Sequence, residues 1–238
     1  GAGDAVEVPF GRRKAFGVVL SAAENPEKAT KDVFSVFGRR VHPYDLEAAR
    51  NVSLRHFSAP FALAARCAPT SAKGAPPLAA GDLRLRRSQH VEVTAADKDW
   101  RFVQRAPIVD PAVLAAQLAT ELAERHGGQV LVLCPTVPLV ESVVAQFESG
   151  AARLDAAAAR GAWRGFVDGQ VRVGVGTRAA ALYSAADLAG FVVVEADHVG
   201  HWAQRQPHAH AAELVRERAL LHNVPVVLTG SCPPPGLL

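Results

Sequence analysis

The sequence predicts an α/β protein in which a small β-rich N-terminal module precedes a parallel α/β domain. Three observations predict it. Beyond residue 100, short apolar runs (Gln129–Leu133, Val171–Val175, Phe191–Val194, Val224–Leu228) alternate with helix-patterned segments. Strands that apolar belong to a parallel sheet covered on both faces. The first forty residues instead carry hairpin signals, and Ala68–Gly81, with Pro69, Gly74, Pro76, Pro77 and Gly81, reads as a linker. At roughly 150 residues per domain, 238 residues leave room for about a domain and a half. Hydrophobic residues at 49% and charged residues at 21% exclude wholesale disorder. No apolar run approaches the roughly 18 residues that span a bilayer.

The elements follow in order. Val6-Glu7-Val8 alternates, and Gly17-Val18-Val19-Leu20 returns after the basic turn Gly11-Arg12-Arg13-Lys14, which makes a hairpin. Ala22–Lys31 is polar, and Val33–Phe37 is a third strand. Pro43 suits the first position of a helix over Tyr44–His56. A short apolar piece, Phe61–Ala65, follows. These signals divide the chain into residues 1–67, a linker over 68–87, and a second domain over 88–238. In that domain Asp110-Pro111 is a favourable helix start, Leu114, Leu118 and Leu122 repeat every four residues, and Gly127 fits the stop. Val137–Phe147, Ala151–Val167 and Ala209–His222 also read as helices.

Three features bear on chemistry. Phe191–Val194 runs straight into Glu195-Ala196-Asp197-His198, and acids beyond a parallel strand's carboxyl end sit where ligands bind. Phosphate binding there needs G-x-x-x-x-G-K-[ST], which is absent. Gln104–Pro111 holds no Gly and no Lys, Pro107 and Pro111 lack N–H donors, and Asp110 at the helix start repels phosphate. ATP is therefore not expected to bind in the usual way. His198, His201, His208 and His210 fall within 13 positions, but H-E-x-x-H is missing. They are expected to serve surface and packing roles, and no metal is expected. Cys67, Cys134 and Cys232 lack C-x-x-C spacing, which points to buried free thiols in a reducing compartment.

Net charge is +3. The basic residues cluster at Arg12-Arg13-Lys14, at Arg39-Arg40, and at Arg84, Arg86 and Arg87. Such clusters can track a phosphate backbone or simply be solvated turns.

The ordered motifs resemble those of the primosomal replication-restart (PriA) family of superfamily 2 DNA helicases. Val6–Arg12 is similar to its "VRVPFG" hairpin, Gly17-Val18-Val19 to the return strand, and His42–Pro69 to the helix and tail that close its 3′-DNA-binding domain. Gly128–Pro135 resembles its "LVP" strand, and Gly176-Thr177-Arg178-Ala179-Ala180 its "GTRSA". Glu195-Ala196-Asp197-His198 stands at "DEEH", His210–Ala219 at "HARD…RA", and Thr229-Gly230-Ser231-Cys232-Pro233 at "GSATP". The resemblance implies a RecA-like helicase lobe over 88–238, one whose nucleotide motifs are lost, as in a branch of the family.

It further implies DNA contact by Phe10, Arg12, Arg13, Lys14, Arg39 and Arg40. Gly176, Thr177, Arg178, Glu195, Asp197, His198 and Ser231 become degenerate motif positions without catalysis. Forked DNA with a 3′ end, single-strand-binding protein and other primosome proteins are the implied partners, in the cytoplasm at the nucleoid. ATP and Mg belong to the family, but their motifs are missing here. The family's zinc cluster, second lobe and winged helix are also missing. With no Met in the chain, this leads to the expectation of a fragment or a pared-down relative. The alternatives are an ATP-dependent 3′–5′ helicase and a protein scaffold without DNA affinity.

Overall fold

The computed structural model describes residues 1–22, 32–59, 63–66, 82–86, 100–155 and 160–233. Cys67, Arg87, the 22–31 loop apart from Ala22, Phe61 and Ala62 of the Phe61–Ala65 piece, and most of the expected linker lie outside them.

The hairpin forms as the alternation requires. Strands β1 (Asp4–Phe10) and β2 (Arg13–Val18) pair antiparallel around a Gly11-Arg12 turn, where Gly11 takes a positive φ of 61°. β3 (Ser35–Arg39) completes a sheet of order β2-β1-β3, two residues later than its apolar run suggests. Helix α1 (Pro43–Arg55) starts at Pro43, with His42 as its cap.

The larger sheet has six parallel strands in the order β5-β11-β10-β6-β9-β8. These are β5 (Trp100–Gln104), β6 (Gln129–Leu133), β8 (Ala151–Arg153), β9 (Val173–Gly176), β10 (Leu188–Val193) and β11 (Val226–Gly230). The last strand in sequence inserts beside the first. This is a RecA-like α/β sheet carrying a small antiparallel sheet. Helices α2 (Pro111–His126) and α3 (Val137–Val144) cover one face, while α1, α4 (Arg160–Val167) and α5 (Ala211–His222) cover the other. The strand alternation makes this possible. In β10, Phe191 and Val193 face α5, and Val192 and Val194 face α2. Helix α2 is capped as its sequence predicts: the Asp110 carboxylate accepts from the Ala112 N–H at 2.8 Å, and Gly127 closes the helix at φ 75°.

One reading is corrected. Residues 151–167 do not form one helix. Helix α3 stops at Val144, Phe147–Ser149 becomes β7, and Ala151–Arg153 becomes β8 on the sheet edge. Ala-rich sequence favours helix, but Gly150 turns the chain at φ 80° and β9 offers open backbone partners. The backbone hydrogen bonds of a sheet edge outweigh the propensity of three residues. Two strands had no earlier assignment, β5 and the short β4 (Arg84–Leu85). β4 pairs antiparallel with β7, so this end of the expected linker is tied to the larger domain.

Helix α1 packs on α5 and shares a hydrophobic cluster with the parallel sheet. A polar seam joins the two helices. Asn51 and Arg55 both donate to Glu217, and His56 Nε2 lies 2.8 Å from Glu213. Below it, the buried Asp45 carboxylate accepts from Arg218 Nε at 2.8 Å, from His222 Nε2 at 2.8 Å and from the Ser184 hydroxyl. No helix among the described residues is long and apolar enough to cross a membrane.

Candidate functional site

Two regions carry the residues singled out by sequence. The first is the hairpin tip. Phe10 is 75% exposed, and Arg12 and Arg13 project beside it into solvent. Lys14 is partly engaged: its Nζ lies 3.2 Å from Glu7 Oε2 and 4.7 Å from the centre of the Phe34 ring. Arg40 is not part of this tip. Its guanidinium sits 2.6 Å from Asp168, which also takes Arg164. The Arg39 side chain lies outside the described residues.

The second region is the carboxyl edge of the parallel sheet. The fold gathers all seven motif positions there, at the ends of β9 (Gly176, Thr177, Arg178), β10 (Glu195, Asp197, His198) and β11 (Ser231). Neighbouring backbones knit these ends together. The Ala196 N–H donates to the Thr229 carbonyl at 2.7 Å, the Arg105 N–H to Gly230 at 2.9 Å, and Gln104 Nε2 to the Ser231 carbonyl at 3.3 Å. A Cβ at Gly230 would lie 2.5 Å from Asp197 Oδ1, so a larger residue there would push the exposed Asp197 side chain aside. Arg178 donates to the Gly200 carbonyl at 3.3 Å, and Thr177 leads a short 3-10 turn over Arg178–Leu182.

Glu195 is the strained member, with φ 49°, a conformation that costs a non-glycine residue on the order of 1–3 kcal/mol. Its carboxylate lies 3.3 Å from Arg105 Nη2. The other Arg105 arm donates to the Val109 carbonyl at 2.8 Å. Arg105 thus clasps the β5–α2 loop to the end of β10. In parallel sheets, ligands bind beyond the carboxyl ends of the strands, where this loop lies. Here it turns a carbonyl toward an internal guanidinium, and the Asp110 carboxylate occupies the Ala112 N–H at the start of α2. Burial pushes the nearby Cys134 thiol up to about 12, with the Glu195 charge adding to it.

The histidine group does not converge on one point; each ring has its own partner. His198 Nδ1 accepts from the Gly200 N–H at 2.9 Å. His201 is fully buried and its Nε2 bonds the Val194 carbonyl at 2.8 Å. His208 Nδ1 lies 3.1 Å from the Ala203 carbonyl, and His210 caps α5.

Sequence reading missed Arg105, Thr229, Asp45 and Arg218 as organising residues. For Arg105 a signal existed, a lone cation where the phosphate loop should be. Asp45 and Arg218, 173 positions apart, offered none.

No protein-family model matches the chain, and no curated protein does. Parts of several solved structures are similar, two of which follow. One is the DExH-box NTPase HrpB of E. coli, at 14% identity and a TM-score of 0.40, over 56% of this chain and 19% of that one. The other is the UvsW helicase of bacteriophage T4, at 15% identity and a TM-score of 0.39, over 55% of this chain and 47% of that one. The chain thus spans less than half the length of either.

Proposed function

We propose that the chain is a DNA-binding replication-restart protein that engages forked DNA with a 3′ end and does not hydrolyse ATP. The reading rests on the order of motifs in the sequence and on one observation above all, the Arg105 clasp. A Mg-nucleotide needs converging backbone N–H groups and a cation free to meet phosphate. Arg105 is instead committed to Glu195 and Val109, and Asp110 holds the start of α2. The residues present do not fit ATP and Mg, so no hydrolytic step is assigned to Glu195, Asp197 or His198. Ala196, buried at the strand end, has no side chain to activate water.

DNA contact is assigned to the hairpin tip. Arg12 and Arg13 meet backbone phosphates and Phe10 packs near the DNA end, with Lys14 beside them; Arg39, whose backbone pairs with Asp4 at the other end of β1, is assigned to DNA by the family resemblance alone. Arg40, paired with Asp168, contributes least. Single-strand-binding protein and other primosome proteins are the partners this reading implies, at the cytoplasmic nucleoid.

The test is a gel shift of the whole chain with a fork carrying a free 3′-OH, against the Arg12→Ala/Arg13→Ala/Lys14→Ala variant. The reading predicts a shift that the variant weakens. No shift at all supports a scaffold without DNA affinity, and equal shifts overturn the assignment to the tip.

A further inference from the structure

The structure holds its strand-end segment with neutral histidines. His201 Nε2 donates to the Val194 carbonyl at 2.8 Å, and His210 forms an isolated antiparallel bridge with Trp202 at the far end of the segment. The tethered Val194 directly precedes Glu195, the residue strained at φ 49°. The rings are 5.5 Å apart, and Trp202 stands edge-on to His210 at 5.2 Å.

A proton leaves the His201 Nε2–H donor to Val194 in place, since an imidazolium also donates, but the other nitrogen of each ring resists it. His210 Nδ1 accepts from the Ala212 N–H at 3.1 Å and so caps α5. A proton on Nδ1 turns that acceptor into a second donor and sets a positive charge against the positive end of the helix dipole. His201 Nδ1 is buried and has no partner among the described residues. A proton there becomes an unsatisfied buried donor on a buried cation.

We propose that residues 194–202 form an acid-released latch: His201 and His210 fasten the strained strand end as neutral rings, and protonation of either lets it go. The surrounding charges do not reverse this. Glu213 on α5 favours the charged form of His210, but it already accepts from the His210 backbone N–H at 3.2 Å and faces His56 of α1 at 2.8 Å. His198 and His210 oppose a charge on His201, and Asp197, itself exposed, only partly favours it. From the side of β9, Arg178 adds a further positive charge, bonded to the Gly200 carbonyl. Burial is the largest influence on both rings. It lowers His210 and takes His201 down to about 4. An open segment, whose histidines titrate normally near 6.5, therefore gains protons first and is favoured as pH falls from about 6.5 toward 4.

The test is hydrogen exchange by mass spectrometry on the whole chain at pH 7.5 and pH 5.0, corrected for intrinsic rates. Peptides covering 194–213 are compared with α2, whose cap is a carboxylate. The latch predicts that protection of 194–213 falls on the order of tenfold or more at pH 5.0 while α2 is unchanged. The variant His201→Gln/His210→Asn keeps a donor for Val194 and a good helix cap but cannot titrate, and should lose the acid response. If it does not fold, His210→Asn alone should reduce the response. Equal wild-type protection at both pH values, or a response undiminished in the folded variant, overturns the proposal. DNA binding plays no part in this readout, so it stands or falls apart from the proposed function.

Discussion

Asp45→Ala should be among the most destabilising single changes in the protein. The carboxylate and the Arg218 guanidinium are each 1% exposed, and Asp45 also takes His222 and Ser184. Arg218 further donates to the Tyr183 carbonyl at 2.9 Å and lies 5.1 Å over the Phe191 ring, so it cannot swing out to water when its partner is lost. Breaking one side of such a pair costs about 3–5 kcal/mol, because an uncompensated buried charge remains. In a chain of this size that is a fall of roughly 10 °C in Tm. The assay is thermal unfolding at pH 7, read by circular dichroism, in a cycle of Asp45→Ala, Arg218→Met and the double variant. The double variant should be less destabilised than the summed singles by about 2 kcal/mol or more. Additive losses, or a single loss under about 1 kcal/mol, would refute the role given to the pair.

The same cycle separates two acid limbs. Burial alone would raise the Asp45 carboxyl, but Arg218, His222 and Ser184 together hold it well below the usual carboxylate range. Its contribution is therefore complete above about pH 4 and is lost only below that. The contribution of His201 is complete above about 6.5 and is lost between there and about 4, and that of His210, also lowered by burial, is lost in the same direction as pH falls below about 6.5. Wild-type stability should fall in two stages, and Asp45→Ala should remove the lower one only.

Three further outcomes follow from local geometry. Phe57 takes a left-handed φ of 52° with its ring fully exposed, and the Phe57 and Ser58 N–H groups close α1 onto Leu54 and Ser53. Phe57→Gly should therefore raise stability by about 0.5–1 kcal/mol in chemical denaturation, and a loss would contradict this reading. Asp110→Ala removes the α2 cap and should cost about 1 kcal/mol in the same assay, with a change below a few tenths counting against it. In salt titrations of fork binding, Arg12→Ala and Arg13→Ala should each reduce the log–log slope by about 0.7–0.9. Lys14→Ala, already held by Glu7, should reduce it less. Equal slopes for all three would place the DNA elsewhere.

What could be read from the sequence divides along physical lines. Helix α2 was legible end to end because Asp110, Pro111 and Gly127 act locally on their own backbone. Strands β6, β10 and β11 were legible because burial on both faces leaves mostly apolar residues, with Gln129 and Thr229 as buried polar exceptions. The 151–167 segment was not, since its helix propensity is local while the β9 edge that captures Ala151–Arg153 is not. Strand β5 alternates Trp100, Phe102 and polar residues, a signal present but shortened by its position at the sheet edge. At the candidate site, Gly176, Glu195 and Ser231 lie at or just past the ends of parallel strands, and parallel strands share one carboxyl edge. The clasp of Arg105 on Glu195, the histidine tethers and the Asp45–Arg218 hub depend on distant residues meeting, and no local pattern announces that.

The central claim is DNA binding without ATP turnover. It is met most directly by titrating the whole chain into a labelled fork with a free 3′-OH, with and without Mg-ATP, while recording fluorescence anisotropy and phosphate release in the same sample. The account predicts saturable binding that nucleotide does not alter and no DNA-stimulated phosphate release. Phosphate release stimulated by the fork, or the absence of binding, would contradict it.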